Sequence, residues 1–204
     1  MPSIAVRRSV VPSFVLAMLT GPFLHAQCNL EWHASSSLCG TNNDVLAATS
    51  WDPDGAGPLP PRIVVAGGFG VAGRTQANGV ATFDAASQSW SALDGGLATG
   101  DLVRALATSP SGELVAVGNV MGGAERILRW NGAAWSVLGT VSGSLDCVAI
   151  LPNGDIVAGG TFSAVDGLPI ANLARWNGGS WASIGSLTST RVHALCVALN
   201  GDRL

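Results

Sequence analysis

Short apolar runs that end near glycine recur along the chain at a nearly constant interval. The first set comprises residues 103–112, 145–154 and 192–201, whose first positions lie 42 and 47 residues apart. A second apolar run follows at residues 63–68, 114–118 and 156–160. A third element with paired aromatic residues lies at residues 83–93, 130–139 and 176–185. Three elements in one order at one period indicate an internal repeat.

Each period contains four short stretches with the character of β-strands. In the second copy these are expected at residues 103–108, 114–119, 125–130 and 135–139. Ser111-Gly112 and Asn131-Gly132 lie between them and suit hairpin turns, because glycine and asparagine accept positive φ. Such short connections join antiparallel neighbours, and no stretch of the chain shows sustained helical periodicity. The pattern predicts an all-β fold with almost no helix.

Four-stranded sheets repeated at this interval are typical of a β-propeller. We therefore predict a partial, open propeller over residues 45–204, with about 3.5 four-stranded blades at 45–94, 103–139, 145–185 and a truncated fourth from 192. The first strands, such as residues 147–151, are apolar almost without alternation, which predicts burial on both faces. Propellers close with typically 4–8 blades, so we expect completion by further blades of a longer chain or by a second copy.

The repeated residues also resemble the kelch motif, in which a glycine pair after an apolar strand precedes two aromatic residues. The first copy matches with Gly67, Gly68, Phe83, Asp84 and Trp90, and the third with Gly159, Gly160, Trp176 and Trp181. The middle copy departs from the motif, with Val117-Gly118 in place of the glycine pair. The repeats are similar to those of large exported bacterial proteins, of fungal cortical-marker propellers and of the central domain of galactose oxidase. This resemblance implies the fold and no particular activity.

The first 26 residues have the composition of a secretory signal peptide. Arg7 and Arg8 precede an apolar stretch over residues 10–24, and Ala26 offers a small residue at the cleavage point. About 15 apolar residues are fewer than the roughly 20 that span a bilayer, so a membrane anchor is the weaker alternative. A lipoprotein signal acting on Cys28 is weaker still. We predict export to the periplasm or cell surface, a mature chain beginning at Gln27, and no membrane span within it.

Four cysteines remain in that mature chain, which would enter an oxidising compartment. Cys28 and Cys39 flank a short serine-rich segment, and a disulfide between them would staple residues 27–44. Cys147 and Cys196 lie in apolar runs and are expected to be buried thiols. No C-x-x-C motif occurs and there are only three histidines, so no metal or other cofactor is expected.

The charged residues exclude one class of partner. The chain has ten Arg, no Lys and thirteen Asp plus Glu, which gives a net charge of −3 and no basic surface for nucleic acid. Tyrosine is absent, so the copper and tyrosyl-radical chemistry of galactose oxidase does not carry over. Asp52 and Asp54 resemble the start of a calcium loop, but prolines follow where further ligands are needed. Residues 52–62 are therefore expected to form a surface loop, with weak calcium binding as the alternative.

The chain contains seven tryptophans, and most of them belong to the repeated aromatic element. Core packing between blades is the expected role, because tryptophan buries a large area on a short strand. Stacking of one or two exposed rings on carbohydrate is the alternative.

Arg104, Asp146 and His193 occupy the same repeat position, directly after the apolar residue that begins the first strand. If that strand is innermost, the three side chains meet near the central channel and could bind a polar ligand. The alternative is a solvated position at which any polar residue serves. No Ser-His-Asp or paired-carboxylate motif gives catalysis a starting point, so no catalytic residue is assigned. We expect an exported module that binds an unknown protein or carbohydrate, and the alternative is a carbohydrate-active enzyme or lectin-like domain that uses the channel mouth.

Overall fold

A computed structural model describes residues 40–185 and 191–197, and all regular structure within these residues is β-strand. The predicted signal peptide, the Cys28–Cys39 disulfide and the fourth repeat beyond residue 197 lie outside the described residues. No helix in this part of the chain is long and apolar enough to cross a membrane. The strands are β1 (Val45–Trp51), β2 (Arg62–Gly67), β3 (Val71–Ala72), β4 (Thr75–Gln76), β5 (Val80–Asp84), β6 (Ser89–Ala92), β7 (Leu102–Thr108), β8 (Leu114–Val120), β9 (Ala124–Trp130), β10 (Trp135–Ile150), β11 (Ile156–Val165), β12 (Leu173–Trp176) and β13 (Trp181–Ser183).

The strands form three antiparallel four-stranded units in chain order. The first sheet has the order β1-β2-β5-β6, and the small hairpin β3-β4 is inserted between its second and third strands. The remaining seven strands pair in one continuous order, β7-β8-β9-β10-β11-β12-β13. Because β10 pairs with β9 along its first part and with β11 along its second, we call β7–β10 the second sheet and β10–β13 the third. The predicted all-β class and the four strands of the second copy are confirmed: four of their eight predicted boundaries agree, three differ by one residue, and the last strand continues to Ile150.

Strand β10 differs from the prediction because it is shared by two sheets. Its first part pairs with β9 and its second part with β11, so residues 140–144 continue a strand where a connection was expected. Residues 141–144 pair with residues 161–165 of β11, and Thr140 and Asp166 extend this pairing by one residue. The backbone N–H of Thr140 donates to Asp166 Oδ1 at 2.8 Å, and the backbone N–H of Asp166 donates to the Thr140 carbonyl at 2.8 Å. These two bonds pair the backbone that a loop would leave to water.

A β-bulge recurs at the same repeat position in the first strand of each sheet. The register shifts between Val45 and Ala47 in β1, between Val103 and Ala105 in β7, and between Leu145 and Cys147 in β10. Glycine lies opposite the residue before each bulge, at Gly67, Gly118 and Gly160. The internal repeat is therefore present in backbone geometry as well as in sequence.

The glycine opposite each bulge is required by close backbone approach. A Cβ added at Gly67, Gly118 or Gly160 would lie well under 3.0 Å from a carbonyl oxygen of the first strand, a distance that real Cβ atoms essentially never show. The neighbouring position is Ala66, Val117 or Gly159, and it varies. The middle copy therefore keeps the one glycine that the geometry needs, which explains how it tolerates the loss of the kelch-like pair.

The hydrophobic core lies between successive sheets. One buried cluster joins the first sheet to the second and includes Trp51, Trp130 and Trp135, and another joins the second to the third and includes Trp181. These four rings are only 5–8% exposed, which confirms core packing for them. The indole N–H of Trp181 donates to the Leu138 carbonyl on β10 at 3.0 Å. Trp130, Trp135 and Trp181 of the repeated element therefore pack between sheets as expected, whereas Trp90 and Trp176 are half-buried.

Burial of the first strands agrees with the prediction in β10, where Cys147, Val148 and Ala149 are buried, and is lower than predicted in β7. In β7 only Val103 is buried and the other residues are half-buried, whereas β8 is buried at every position except Asn119. The difference follows from strand order, because β7 is the edge strand of its sheet and β8 is internal. The run that is covered on both faces is the second strand of the repeat.

Candidate functional site

Two of the three predicted site residues are the bulged residues themselves. Arg104 is the extra residue of the β7 bulge, and Asp146 is the extra residue of the β10 bulge. Leu46 has the same place in β1, and His193 has the corresponding place in segment 191–197, where it is exposed. A bulge bends its strand and re-aims the extra side chain, so the shared repeat position has a shared geometry.

Arg104 forms an ion pair that links the second and third sheets. Its Nη1 donates to Glu125 Oε1 at 2.7 Å and to Oε2 at 2.8 Å, and it reaches the Leu145 carbonyl at 3.4 Å. Glu125 lies on β9 and also accepts the Leu145 backbone N–H at 3.0 Å. The Glu125 side chain is only 10% exposed and that of Arg104 is 27% exposed. The pair is therefore a partly desolvated link to the backbone of β10.

Asp146 forms a second ion pair, to segment 191–197. Arg191 donates from Nε to Asp146 Oδ2 at 2.8 Å and from Nη2 to Oδ1 at 2.6 Å, which is a two-point contact. Hydrogen bonding from Arg191 holds the pKa of Asp146 below its ordinary value, although burial opposes this. The nearby charges of Arg191, Arg104 and His193 also lower the pKa of Asp146. The same contact raises the pKa of Arg191.

Arg104 and His193 thus each lie within electrostatic range of Asp146, in a cluster that also contains Glu125 and Arg191. Sequence reasoning missed those last two residues because it searched equivalent repeat positions, whereas the ion-pair partners lie elsewhere in the repeat. A signal was present for Arg191, which directly precedes the apolar residue that begins the last repeat. Ligand binding by the cluster stays a prediction.

The chemistry of the cluster is that of ionised groups held by opposite charges. Asp146 is stabilised as a carboxylate and Arg191 as a cation, so neither is poised to exchange a proton near neutral pH. Within residues 40–185 and 191–197, no group of three or more His, Cys, Asp or Glu side chains is placed to hold a metal ion. The arrangement can offer charged hydrogen-bonding groups to a polar ligand.

A cleft lies at the opposite end of the same first strands, and we call it the inner-strand cleft. Its volume is about 670 Å³. It is lined by residues from four consecutive repeats, including Thr49, Ala107, Ala149, Ile150, Leu195 and Val197. The turns after β7 and β10 add Ser109, Pro110, Ser111 and Pro152 to its rim. Its walls are mainly apolar with hydroxyl groups around them.

The two cysteines of the apolar runs differ. Cys147 is buried as predicted, and burial raises the pKa of its thiol to about 11. Cys196 is exposed, so the prediction of a second buried thiol is wrong. Val192, Leu195 and Val197 are the half-buried residues of segment 191–197, whereas Cys196 alternates with them and faces solvent.

The acidic residues at the start of the predicted loop 52–62 accept hydrogen bonds from the backbone of the loop itself. Asp54 Oδ2 accepts the backbone N–H of Leu59 at 3.1 Å, and Asp52 Oδ1 accepts the backbone N–H of Asp54 at 3.4 Å. These contacts are those of a self-capped surface loop, in which carboxylates replace missing backbone partners.

Comparison with models of known protein families gives no match, and no curated protein matches the chain.

Proposed function

We propose that this chain is an exported, kelch-like β-propeller module that binds a partner protein at the inner-strand cleft. The observation that carries the proposal is the lining of one cleft by the first strands of three repeats, β1, β7 and β10, together with segment 191–197 of the fourth repeat. In a propeller the first strands of the blades surround a common axis, and ligands are held where they converge. The export half of the proposal comes from the composition of residues 1–26.

The packing of the sheets supports a propeller arc. β1 packs beside β7, and β7 packs beside β10, so consecutive sheets are neighbours through their first strands. One face of the first sheet is also exposed to solvent, whereas the corresponding faces of the second and third sheets are buried. Ile63 is 40% exposed, whereas Leu114 and Ile156 at the same repeat position are 0% and 1% exposed. A blade from elsewhere in a longer chain, or from a second copy, would cover this face.

A binding role fits the electrostatics better than catalysis at the bulge cluster. General acid–base catalysis needs a group whose pKa lies near the working pH. The pKa of Asp146 is lowered, away from that range, by hydrogen bonding from Arg191. The cluster is better explained as a pair of clamps between repeats that fix the strands around the cleft.

The ligand class follows from the walls of the inner-strand cleft. Ala107, Ala149, Ile150 and Val197 offer apolar contact, and Thr49 adds a hydroxyl. Apolar side chains of a partner protein suit such walls, with the hydroxyls and turn backbone left to bind the peptide chain. Charged ligands find no counter-charge there except Glu113.

The test is selection of peptides from a displayed library on the full secreted protein. Thr49→Trp and Val197→Trp fill the cleft from different repeats, and Ala182→Trp adds the same ring at an exposed site on β13. Selected peptides should lose at least tenfold in affinity for both cleft variants and bind the control normally, with unchanged melting temperatures for all. Failure to select any binder, or binders indifferent to both cleft variants, would overturn the proposal.

A further inference from the structure

A second cleft lies where the loop after β1 meets the second sheet, and we call it the loop cleft. Its volume is about 590 Å³, within the range of small-molecule sites. The residues that define it are Trp51, Pro53, Glu113, Arg129, Asn131 and Ser136. Ser111 and Glu113 line both clefts, but Thr49 and Val197 line only the inner-strand cleft and Ser136 lines only the loop cleft, so variants at these last three positions test the two clefts separately.

Backbone contacts hold the walls of the loop cleft in place. The indole N–H of Trp51 donates to the Gly112 carbonyl at 2.9 Å. A Cβ added at Gly112 would lie 2.7 Å from the Pro53 carbonyl, and one at Gly55 would lie 2.8 Å from the Pro110 carbonyl. The loop and the β7–β8 turn therefore approach as closely as glycine allows. The cleft is preformed, which lowers the ordering cost of binding.

An ion pair supplies the charged groups of the loop cleft. Arg129 Nε donates to Glu113 Oε1 at 2.9 Å, with the arginine side chain 48% exposed and the glutamate 14% exposed. Ser136 Oγ donates to the Arg129 carbonyl at 3.1 Å, which ties β10 to the same wall. The pair has no net charge, so it favours neither an anion nor a cation.

Asn131 adds a donor with a fixed orientation. Its Oδ1 accepts the backbone N–H groups of Ala133 and Ala134 at 2.9 and 2.8 Å, which leaves the amide NH₂ as the group that can reach a ligand. Together with the carboxylate of Glu113 and the guanidinium of Arg129, the cleft offers both acceptors and donors.

The third sheet repeats this chemistry without the same wall. Asp155 pairs with Arg175 Nε at 2.6 Å, and Asn177 caps its turn in the same way as Asn131. There the Asn153 amide donates to Asp155 Oδ2 at 2.9 Å, which occupies the carboxylate. The second sheet differs because the loop after β1 lies next to its Glu113–Arg129 ion pair and forms the other wall of the cleft.

We propose that the loop cleft binds a neutral saccharide unit. A sugar presents adjacent hydroxyls, each both donor and acceptor, which can pair with Glu113, Arg129 and Asn131 without adding charge. Its C–H faces can lie against Pro53 and Leu138, which also line the cleft. The tryptophan rings are too buried to provide a stacking face, so affinity must come mainly from the polar groups.

The test uses the full secreted protein and three neutral probes, namely cellotriose, maltotriose and laminaritriose. Saturation-transfer NMR should detect at least one of them, and titration calorimetry should then give its affinity. Glu113→Gln removes the charge of the carboxylate with little change in size, and Ser136→Trp fills the cleft from an exposed position. We expect each to weaken binding at least tenfold, with unchanged circular dichroism.

The third sheet provides matched controls. Asp155→Asn breaks the equivalent ion pair, and Ala182→Trp places the ring at the position equivalent to Ser136. Both should bind the sugar as the unaltered protein does, and Thr49→Trp should also do so even if peptide binding fails. The proposal is wrong if none of the three sugars binds at millimolar concentration, or if Glu113→Gln and Ser136→Trp leave the affinity unchanged.

Discussion

Replacing Gly160 by alanine should damage the fold at the point where two repeats join. Gly160 lies opposite the β10 bulge, and its backbone φ is not positive, so alanine would meet no conformational penalty of that kind. The added Cβ would instead press on the Ser144 carbonyl oxygen, well inside the 3.0 Å that real Cβ atoms respect. Since the obstacle is backbone, no flexible side chain can turn away from it.

The size of the effect follows from the movement required. The strands must separate locally by roughly 1 Å, and overpacking of this kind typically costs about 1–3 kcal/mol. The affected backbone also takes part in the bulge cluster, because the Leu145 N–H donates to Glu125 and its carbonyl accepts from Arg104. We therefore expect a loss of about 2 kcal/mol in the free energy of unfolding, toward the middle of that range.

Urea unfolding followed by tryptophan fluorescence measures this difference. Gly179→Ala is the matched control, because Gly179 also lacks positive φ and an added Cβ there meets nothing nearer than 3.8 Å. The control should change stability by less than about 0.5 kcal/mol. If Gly160→Ala and Gly179→Ala unfold at the same urea concentration, the glycine is not required by the bulge and the geometric account of the repeat fails.

Three further predictions concern burial and charge. Leu114→Ala should lower the free energy of unfolding by about 2–5 kcal/mol, because Leu114 is fully buried. Ile63→Ala should cost at least about 1 kcal/mol less, because Ile63 is partly exposed. Equal losses of stability in urea unfolding would contradict the open face. At pH 8, iodoacetamide should label the exposed Cys196 rapidly and Cys147 only after unfolding, since burial raises the pKa of Cys147 to about 11. Peptide mass spectrometry measures the two labelling rates, and equal rates would refute this prediction. Asp146→Asn should destabilise the protein at neutral pH. The difference in stability between the variant and the wild type should shrink as the pH falls below the ordinary aspartate pKa of about 3.9 and through the lowered pKa of Asp146 in the folded protein, because the wild-type carboxylate is then protonated as well. A difference that does not depend on pH would argue against the ion pair.

The repeat and its strands could be predicted because they depend on local chemistry. The glycine turns and apolar runs set the second-copy strands correctly, from Leu102–Thr108 onward. The length of β10 could not be foreseen, because residues 141–144 are held as a strand by pairing with the end of β11 and Thr140 by Asp166, contacts that lie about 20 residues further along the chain. The half-burial of β7 was missed for a similar reason. Its composition predicts a buried strand, but its place at a sheet edge depends on the order in which strands pair.

The candidate sites show the same limit. Equivalent repeat positions identified Arg104 and Asp146, and backbone geometry places both on bulges. Their partners Glu125 and Arg191 are fixed by packing between repeats, which periodicity does not describe. The loop cleft was missed entirely, since it depends on the β1 loop meeting the β7–β8 turn, and among the first-to-second-strand connections in residues 40–185 the one after β1 is the longest.

The bulge position explains why polar chemistry collects at one point of an otherwise apolar repeat. A bulged residue is the extra one in its strand, so its side chain can change without altering the register of the paired residues around it. The glycine opposite the bulge, which is Gly67, Gly118 or Gly160, lets the two strand backbones approach closely. This close approach does not depend on which side chain the bulged residue carries. The chain accordingly carries an exposed leucine at this position in β1, an arginine in β7 and an aspartate in β10. A repeat built in this way keeps its backbone geometry through the glycine, while the bulged residue differs between repeats and forms different ion pairs, as Arg104 and Asp146 do.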